Sequence, residues 1–227
     1  GDDCGPSTKL GSRIVCRAMI IRIITTDQDV TEGAEWLAKL DVRFAQALRE
    51  AGPLPLRRRP GGFDNLFNAI IGQQVSLASA SAIWGRLEAA DLTSVSTVRF
   101  ASEQDLRDCG LSRQKIQYAH ALANSGIDYT ALEAMPDDDV IKTLVQVKGI
   151  GSWTAEVYTM FSLGRADVFA PGDLALQEAA RVLFSLNERP NERSLRKMAQ
   201  DWSPWRAVAA RILWAYYRVI KNREGIS

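Results

Sequence analysis

Residues 144–177, LVQVKGIGSWTAEVYTMFSLGRADVFAPGDLALQ, read as a glycine hairpin, a helix, and an aspartate that opens the next helix. Val147-Lys148-Gly149-Ile150-Gly151 lies between two apolar-periodic stretches. Two glycines one residue apart permit the positive φ and close backbone approach of a tight turn. Their N–H groups, beside a helix N-terminus that Ser152 can cap, make a place for one phosphate, held without any sequence being read. Taken alone, a Gly-x-Gly reads first as a plain connection between helices. Asp173, after Pro171-Gly172 and before an apolar run, reads first as an N-cap. Capping is compatible with chemistry, because a helix N-terminus stabilises an ionised carboxylate.

Working outward, the same helical periodicity covers most of the chain. Glu35–Glu50 places Trp36, Leu37, Leu40, Phe44, Ala47 and Leu48 on one stripe, stopped by Gly52-Pro53. The linker PLPLRRRPGG, residues 53–62, carries Arg57, Arg58 and Arg59, which suit either solvent or phosphate. Phe63, Leu66, Phe67, Ile70 and Ile71 keep helical spacing until Gly72-Gln73-Gln74-Val75-Ser76 interrupts it, and Leu77–Leu87 resumes. Amides between two apolar helices need partners or a task. Further helices are predicted at Thr97–Phe100, Glu103–Cys109, Arg113–Ser125 and Asp137–Val147. Near the C-terminus, Ser203 as cap and Pro204 as first residue predict a helix with Trp205, Val208, Ala209, Ile212, Tyr216, Val219 and Ile220 as its apolar stripe. Trp214 lies about 180° from Trp205, on a face with Ala207, Ala210, Arg211, Tyr217, Arg218 and Lys221. A tryptophan among basic residues indicates a contact surface, with packing against another lobe as the alternative. Residues 1–18 read as a polar arm, Met19 as a natural start, and Ile20–Thr26 as one short strand. No stretch alternates long enough for a sheet, so the fold class is all-α.

Composition narrows the chemistry. The 227 residues allow one large domain or two small lobes, and 46% hydrophobic with 24% charged residues is ordinary for a globular chain. No apolar run reaches the ~18 residues of a membrane span. Three cysteines, Cys4, Cys16 and Cys109, cannot supply the four thiolates of an all-cysteine iron–sulfur cluster, and the single histidine, His120, excludes a two-histidine zinc site. Net charge is +1, yet residues 181–223 hold ten Lys or Arg against Glu188, Glu192 and Asp201. That basic tail suits either a solvated face or a polyanion.

The segment 144–177 resembles the helix–hairpin–helix and Gly/Pro-Asp signature of the HhH-GPD superfamily of DNA glycosylases, most closely its DNA-3-methyladenine glycosylase II branch. FNAIIGQQVS (67–76), GLSRQK (110–115), PGDLALQ (171–177) and WSPWRAVAARILW (202–214) match that branch in the same order. The resemblance implies a two-lobed helical fold with the active-site cleft between lobes of approximately 63–170 and 31–62 plus 171–227, after an arm of residues 1–30. It implies Asp173 as the catalytic carboxylate, Trp153, Trp214 and Val157 lining a base pocket, and Gln74 filling the gap left by a flipped base. Lys148, Gly149, Ile150, Gly151, Ser152 and Thr154 would meet the DNA backbone. The main-chain carbonyls of Val145, Val147 and Gly149 would hold a structural Na+ or K+; no other cofactor is expected. The implied partner is double-stranded DNA containing alkylated bases, met by a monomer in the cytoplasm, or in the nucleus if the source is eukaryotic. Bifunctional relatives that also nick DNA carry a Schiff-base lysine two residues after the second hairpin glycine, where this chain has Trp153. The expected reaction is therefore hydrolysis of the N-glycosidic bond alone. The additional N-terminal β-rich domain of longer alkylation glycosylases has no counterpart of matching length here. A glycosylase for oxidised or mismatched bases and a non-catalytic helix–hairpin–helix module remain as alternatives. The module would not account for Asp173 together with Trp214.

Overall fold

The computed structural model describes residues 21–225, and the regular elements among them are helices. In order, the helices are α1 Asp27–Leu40, α2 Val42–Ala51, α3 Phe63–Ile71, α4 Leu77–Ala89, α5 Val95–Phe100, α6 Glu103–Asp108, α7 Arg113–Ala123, α8 Tyr129–Ala134, α9 Asp137–Val145, α10 Ser152–Phe161, α11 Leu174–Leu183, α12 Glu192–Met198 and α13 Arg206–Arg223. A 3₁₀ turn, Ala199–Trp202, joins α12 to α13. The arm at residues 1–18 lies outside the described residues. Among these residues, no helix is long and apolar enough to cross a membrane.

Several boundaries differ from the sequence reading, each for a local reason. The stretch Ile20–Thr26 forms no strand among the described residues; Ile23 makes one isolated antiparallel bridge to Arg165. The expected arm of residues 1–30 ends sooner, because Thr26 and Asp29 form a capping box that starts α1 at Asp27. The expected helix Glu35–Glu50 is broken at Asp41, which is extended at φ −146° and ψ 121° and accepts from the Arg43 N–H at 2.9 Å, thereby capping α2. Within α1 the buried face is Val30, Gly33, Ala34 and Leu37, which leaves Trp36 and Leu40 exposed, while α2 buries Phe44 and Ala47. Pro204 does not start α13: the Trp205 N–H donates to the Trp202 carbonyl at 2.9 Å, keeping residues 202–205 in a turn.

The buried apolar residues form two clusters. One gathers α1, α2, α11, α12 and α13 with Phe169 and Ala170. The other gathers α3 to α9. Helix α10 belongs to both, sending Ala155 and Tyr158 into the second cluster and Met160 and Phe161 into the first. Its position is further held by Glu156, a buried carboxylate paired with Arg196 of α12 at 2.9 Å. Desolvation raises the Glu156 pKa and the Arg196 partner opposes that rise. The helix that carries Trp153 is thus fixed from both sides.

Close packing reaches the backbone where α1 crosses the start of α13. A Cβ on Gly33 would stand 2.6 Å from the Trp205 ring and 2.7 Å from Val208, whereas Gly85, in exposed α4, has open space around it. Gly33→Ala is expected to destabilise the protein by about 1–3 kcal/mol in urea unfolding through overpacking. Gly85→Ala is expected to stabilise it by roughly 0.5–1 kcal/mol through helix propensity. Equal effects from the two would contradict the packing described.

Candidate active site

Asp173 is held from two directions. Its Oδ1 accepts from the Leu176 N–H at 3.0 Å, the N-cap bond that opens α11. Its Oδ2 accepts from the Trp153 indole Nε1–H at 2.9 Å. Trp153 sits in the first turn of α10, so one side chain joins the N-termini of two helices. Both helix N-termini place positive potential around one half-buried carboxylate, with the indole and amide N–H groups aimed at its two oxygens. Behind it, the buried Gln177 amide donates to the Pro171 carbonyl at 2.8 Å and fixes the turn that delivers Asp173.

The hairpin lies at the same end of α10. Gly149 adopts φ 99°, and a Cβ there would collide with the Tyr118 ring, so both conformation and space require glycine. Gly151 is extended at φ −89°, ψ 174°, and is itself the N-cap. Ser152 is the first helical residue and forms no side-chain cap bond. The first helical bond runs from Ala155 N–H to the Gly151 carbonyl at 3.0 Å, so the N–H groups of Ser152, Trp153 and Thr154 precede any intrahelical partner. Lys148, Gly151 and Ser152 are exposed around them. Ile150 differs from its expected role, because its side chain is buried and its N–H donates to the Val147 carbonyl at 3.0 Å. It shapes the turn and offers no donor outward.

A cavity of about 640 Å³ opens beside Trp153, Thr154 and Val157. Its other wall is one face of α3, Asn65, Asn68, Ala69 and Gly72, with Gln73, Tyr158 and Phe161 completing it. Asn65 and Asn68 of that face recur at helical spacing opposite the apolar stripe of α3, a signal present in the sequence. Asp173 and Trp214 are not among its lining residues. Asp173 reaches the cavity through Trp153. Trp214 packs on Phe161, with ring centroids 5.6 Å apart, and is half-buried. The contact face expected around Trp214 is largely internal: Ala207, Ala210 and Arg211 are buried, because α13 is flanked by α1, α2 and α11 and also by the 53–62 linker. His120, part-buried, contacts the Ala101 carbonyl at 3.2 Å and plays no part here.

Gln74 projects from the turn between α3 and α4, exposed and at φ 57°. Beside it, Val75 is 40% and Leu77 91% exposed, so the tip is apolar as well as amide-bearing. The adjacent Gln73 Nε2–H donates to the Gly149 carbonyl at 2.9 Å and ties this tip to the hairpin. As a cation site, the hairpin offers three neutral oxygens. The Val147 and Gly149 carbonyls each accept one hydrogen bond and keep a second lone pair, and Val145, at the end of α9, lies past the last intrahelical donors. That donor set fits a hard cation of low charge.

The model of the HhH-GPD superfamily of base excision DNA repair proteins matches residues 67–204, which contain the tip, the hairpin and Asp173. The chain belongs to that superfamily. The HhH-GPD chain is 31% identical over 201 residues to DNA-3-methyladenine glycosylase 1 of Schizosaccharomyces pombe, covering 82% of this chain and 86% of that protein. A DNA-3-methyladenine glycosidase structure from Bacillus halodurans superposes with a TM-score of 0.76 at 33% identity, covering 89% of this chain and 95% of that one. The S. pombe 3-methyladenine DNA glycosylase in complex with abasic DNA superposes with a TM-score of 0.68 at 26% identity, over 81% of this chain and 95% of that one.

The Trp153–Asp173 bond gives this HhH-GPD site a test of its own. Trp153→Phe keeps a ring and removes the N–H donor. A hydrogen bond to a charged group contributes roughly 1.5–3 kcal/mol, reduced here by exposure. Single-turnover base release is expected to slow about tenfold with little change in DNA affinity. A variant impaired only in affinity would assign Trp153 to binding alone.

Proposed function

We infer that the chain is a monofunctional DNA glycosylase of the DNA-3-methyladenine type, hydrolysing the N-glycosidic bond of alkylated purines in double-stranded DNA. The observation that carries this reading is the carboxylate of Asp173, held by Trp153 and by the α11 N-terminus beside a cavity with an aromatic and an amide wall. The substrates proposed are 3-methyladenine and 7-methylguanine, the former supported by the names of the relatives above. The mechanism follows from their charge. An N3- or N7-alkylated purine nucleoside is already cationic, so the base leaves without strong general-acid help. The carboxylate then faces an oxocarbenium-like sugar, which it stabilises electrostatically while a water attacks C1′.

The remaining residues have roles in delivering the base. The unpaired N–H groups after Gly151, with Lys148, grip one phosphate, and a Na+ or K+ on the carbonyls of Val145, Val147 and Gly149 would add positive charge there. Gln74, with Val75 and Leu77 around it, fills the space vacated when the base leaves the stack, which costs a few kcal/mol and less at a damaged pair. Trp153 offers its ring to the base and its N–H to Asp173. Trp214 acts from behind Phe161, forming the second layer of the wall.

Hydrolysis without strand nicking is supported by the residue two after Gly151: it is Trp153, so this position has no amine for a Schiff base. Asp173→Asn is expected to lower release of free 3-methyladenine and 7-methylguanine from methylated duplex by at least roughly 100-fold. Borohydride is expected to trap no enzyme–DNA adduct. Equal release by wild type and variant would remove Asp173 from the chemistry. Absence of release from both would favour the binding module, and a trapped adduct would contradict hydrolysis alone.

A further inference from the structure

The aromatic pair Phe161–Trp214 is flanked by guanidinium groups whose charge the fold does not neutralise. Arg211 of α13 is 1% exposed, lies 4.8 Å from the Phe161 ring centroid, and donates to the Leu56 carbonyl at 2.8 and 3.3 Å and to the Ala207 carbonyl at 2.9 Å. Those acceptors are neutral, so burial pushes its pKa down to about 10, with Arg57 and Arg58 adding repulsion. The bonds to Leu56 also pin the 53–62 linker, and the Arg59 N–H donates to the Phe161 carbonyl at 3.1 Å. In this way the linker arginines are delivered to one place. Arg57, in the left-handed region at φ 54°, lies 5.8 Å from the Trp214 ring, and Arg59 lies 6.0 Å from Phe161. Arg218, one helical turn beyond Trp214 and exposed, adds a like charge beside Arg57.

Among the described residues, Arg57, Arg58, Arg59, Arg211 and Arg218 form no ion pair, whereas Arg181, Arg196, Arg206 and Arg223 are each paired with a carboxylate. Like charges gathered without acids repel. A non-glycine residue in the left-handed region adds strain of the kind that persists where function requires it. An external anion would relieve the repulsion.

We propose that Arg57, Arg59 and Arg218 form a second grip for a DNA phosphodiester, separate from the hairpin, beside the cavity that Arg59 lines. The proposal rests on the reading of the chain as a DNA glycosylase. Planar guanidinium groups suit phosphate oxygens in two-point contacts. The grip also resolves a conflict within that reading, since a cationic base would be repelled by guanidinium groups over Trp214 and Phe161. Once a phosphate neutralises them, the wall is available to a cationic purine only when DNA is seated.

The test uses the full chain and a duplex carrying one tetrahydrofuran abasic analogue, with single phosphates replaced in turn by neutral methylphosphonates. For wild type, two separate linkages are expected to cost roughly tenfold in affinity each when neutralised. In Arg57→Gln/Arg218→Gln, the penalty at one linkage disappears and that at the other remains, and the slope of log affinity against log salt falls by about 1–2. The single variant Arg218→Gln changes only an exposed side chain, and its slope falls by about 0.9. Lys148→Gln is expected to lessen the other penalty, leaving the part due to the N–H groups after Gly151. If Lys148→Gln does so while both arginine variants keep wild-type slopes and penalties, the second grip is wrong and the glycosylase reading stands. If wild type shows no salt-dependent binding, both are wrong.

Discussion

A single hydrogen bond, from the Trp153 indole to the Asp173 carboxylate at 2.9 Å, is the constraint on which the site depends. It spans the first turn of α10 and the cap of α11, so it can form only if the two helices begin beside one another. The capping bond to Leu176 alone is worth about 1 kcal/mol and is available to any Asp in this position. The bond from Trp153 leaves neither carboxylate oxygen free to rotate. A preorganised anion costs no reorganisation as positive charge develops on the sugar.

The fold serves this meeting of helix ends through α10. Because that helix contributes to both hydrophobic clusters, its first turn cannot shift without disturbing either. Its near end presents unpaired N–H groups and the glycine hairpin, and its far end supplies Phe161 to the wall backed by Trp214. The Gln73 amide on the Gly149 carbonyl links the α3–α4 tip to that hairpin, so gripping a phosphate and opening a base stack act through connected elements.

Much of this was legible from residue spacing. The stripe Phe63, Leu66, Phe67, Ile70 and Ile71 is buried as read, and Asp173 caps α11. The limits lie where tertiary contacts override local pattern. Asp41 ended a helix that apolar spacing continued, since a cap competes with helix propagation through hydrogen bonds that periodicity does not weigh. Arg211 read as exposed because an arginine in a basic run ordinarily is; its burial depends on the Leu56 carbonyl, 155 residues away in sequence. Asn65 and Asn68 show the reverse case, polar residues opposite the apolar stripe of α3 that pattern alone assigns to solvent and that in fact line a cavity.

The account stands or falls on whether Trp153 acts through Asp173. A double-mutant cycle in single-turnover base release from methylated duplex, comparing Trp153→Phe, Asp173→Asn and the pair, measures this directly. If the indole N–H serves to hold the carboxylate, the cost of Trp153→Phe falls to nearly nothing once Asp173 is Asn, and the double variant matches Asp173→Asn. Two costs that multiply in full in the double variant would show that the residues act independently and would contradict the site described.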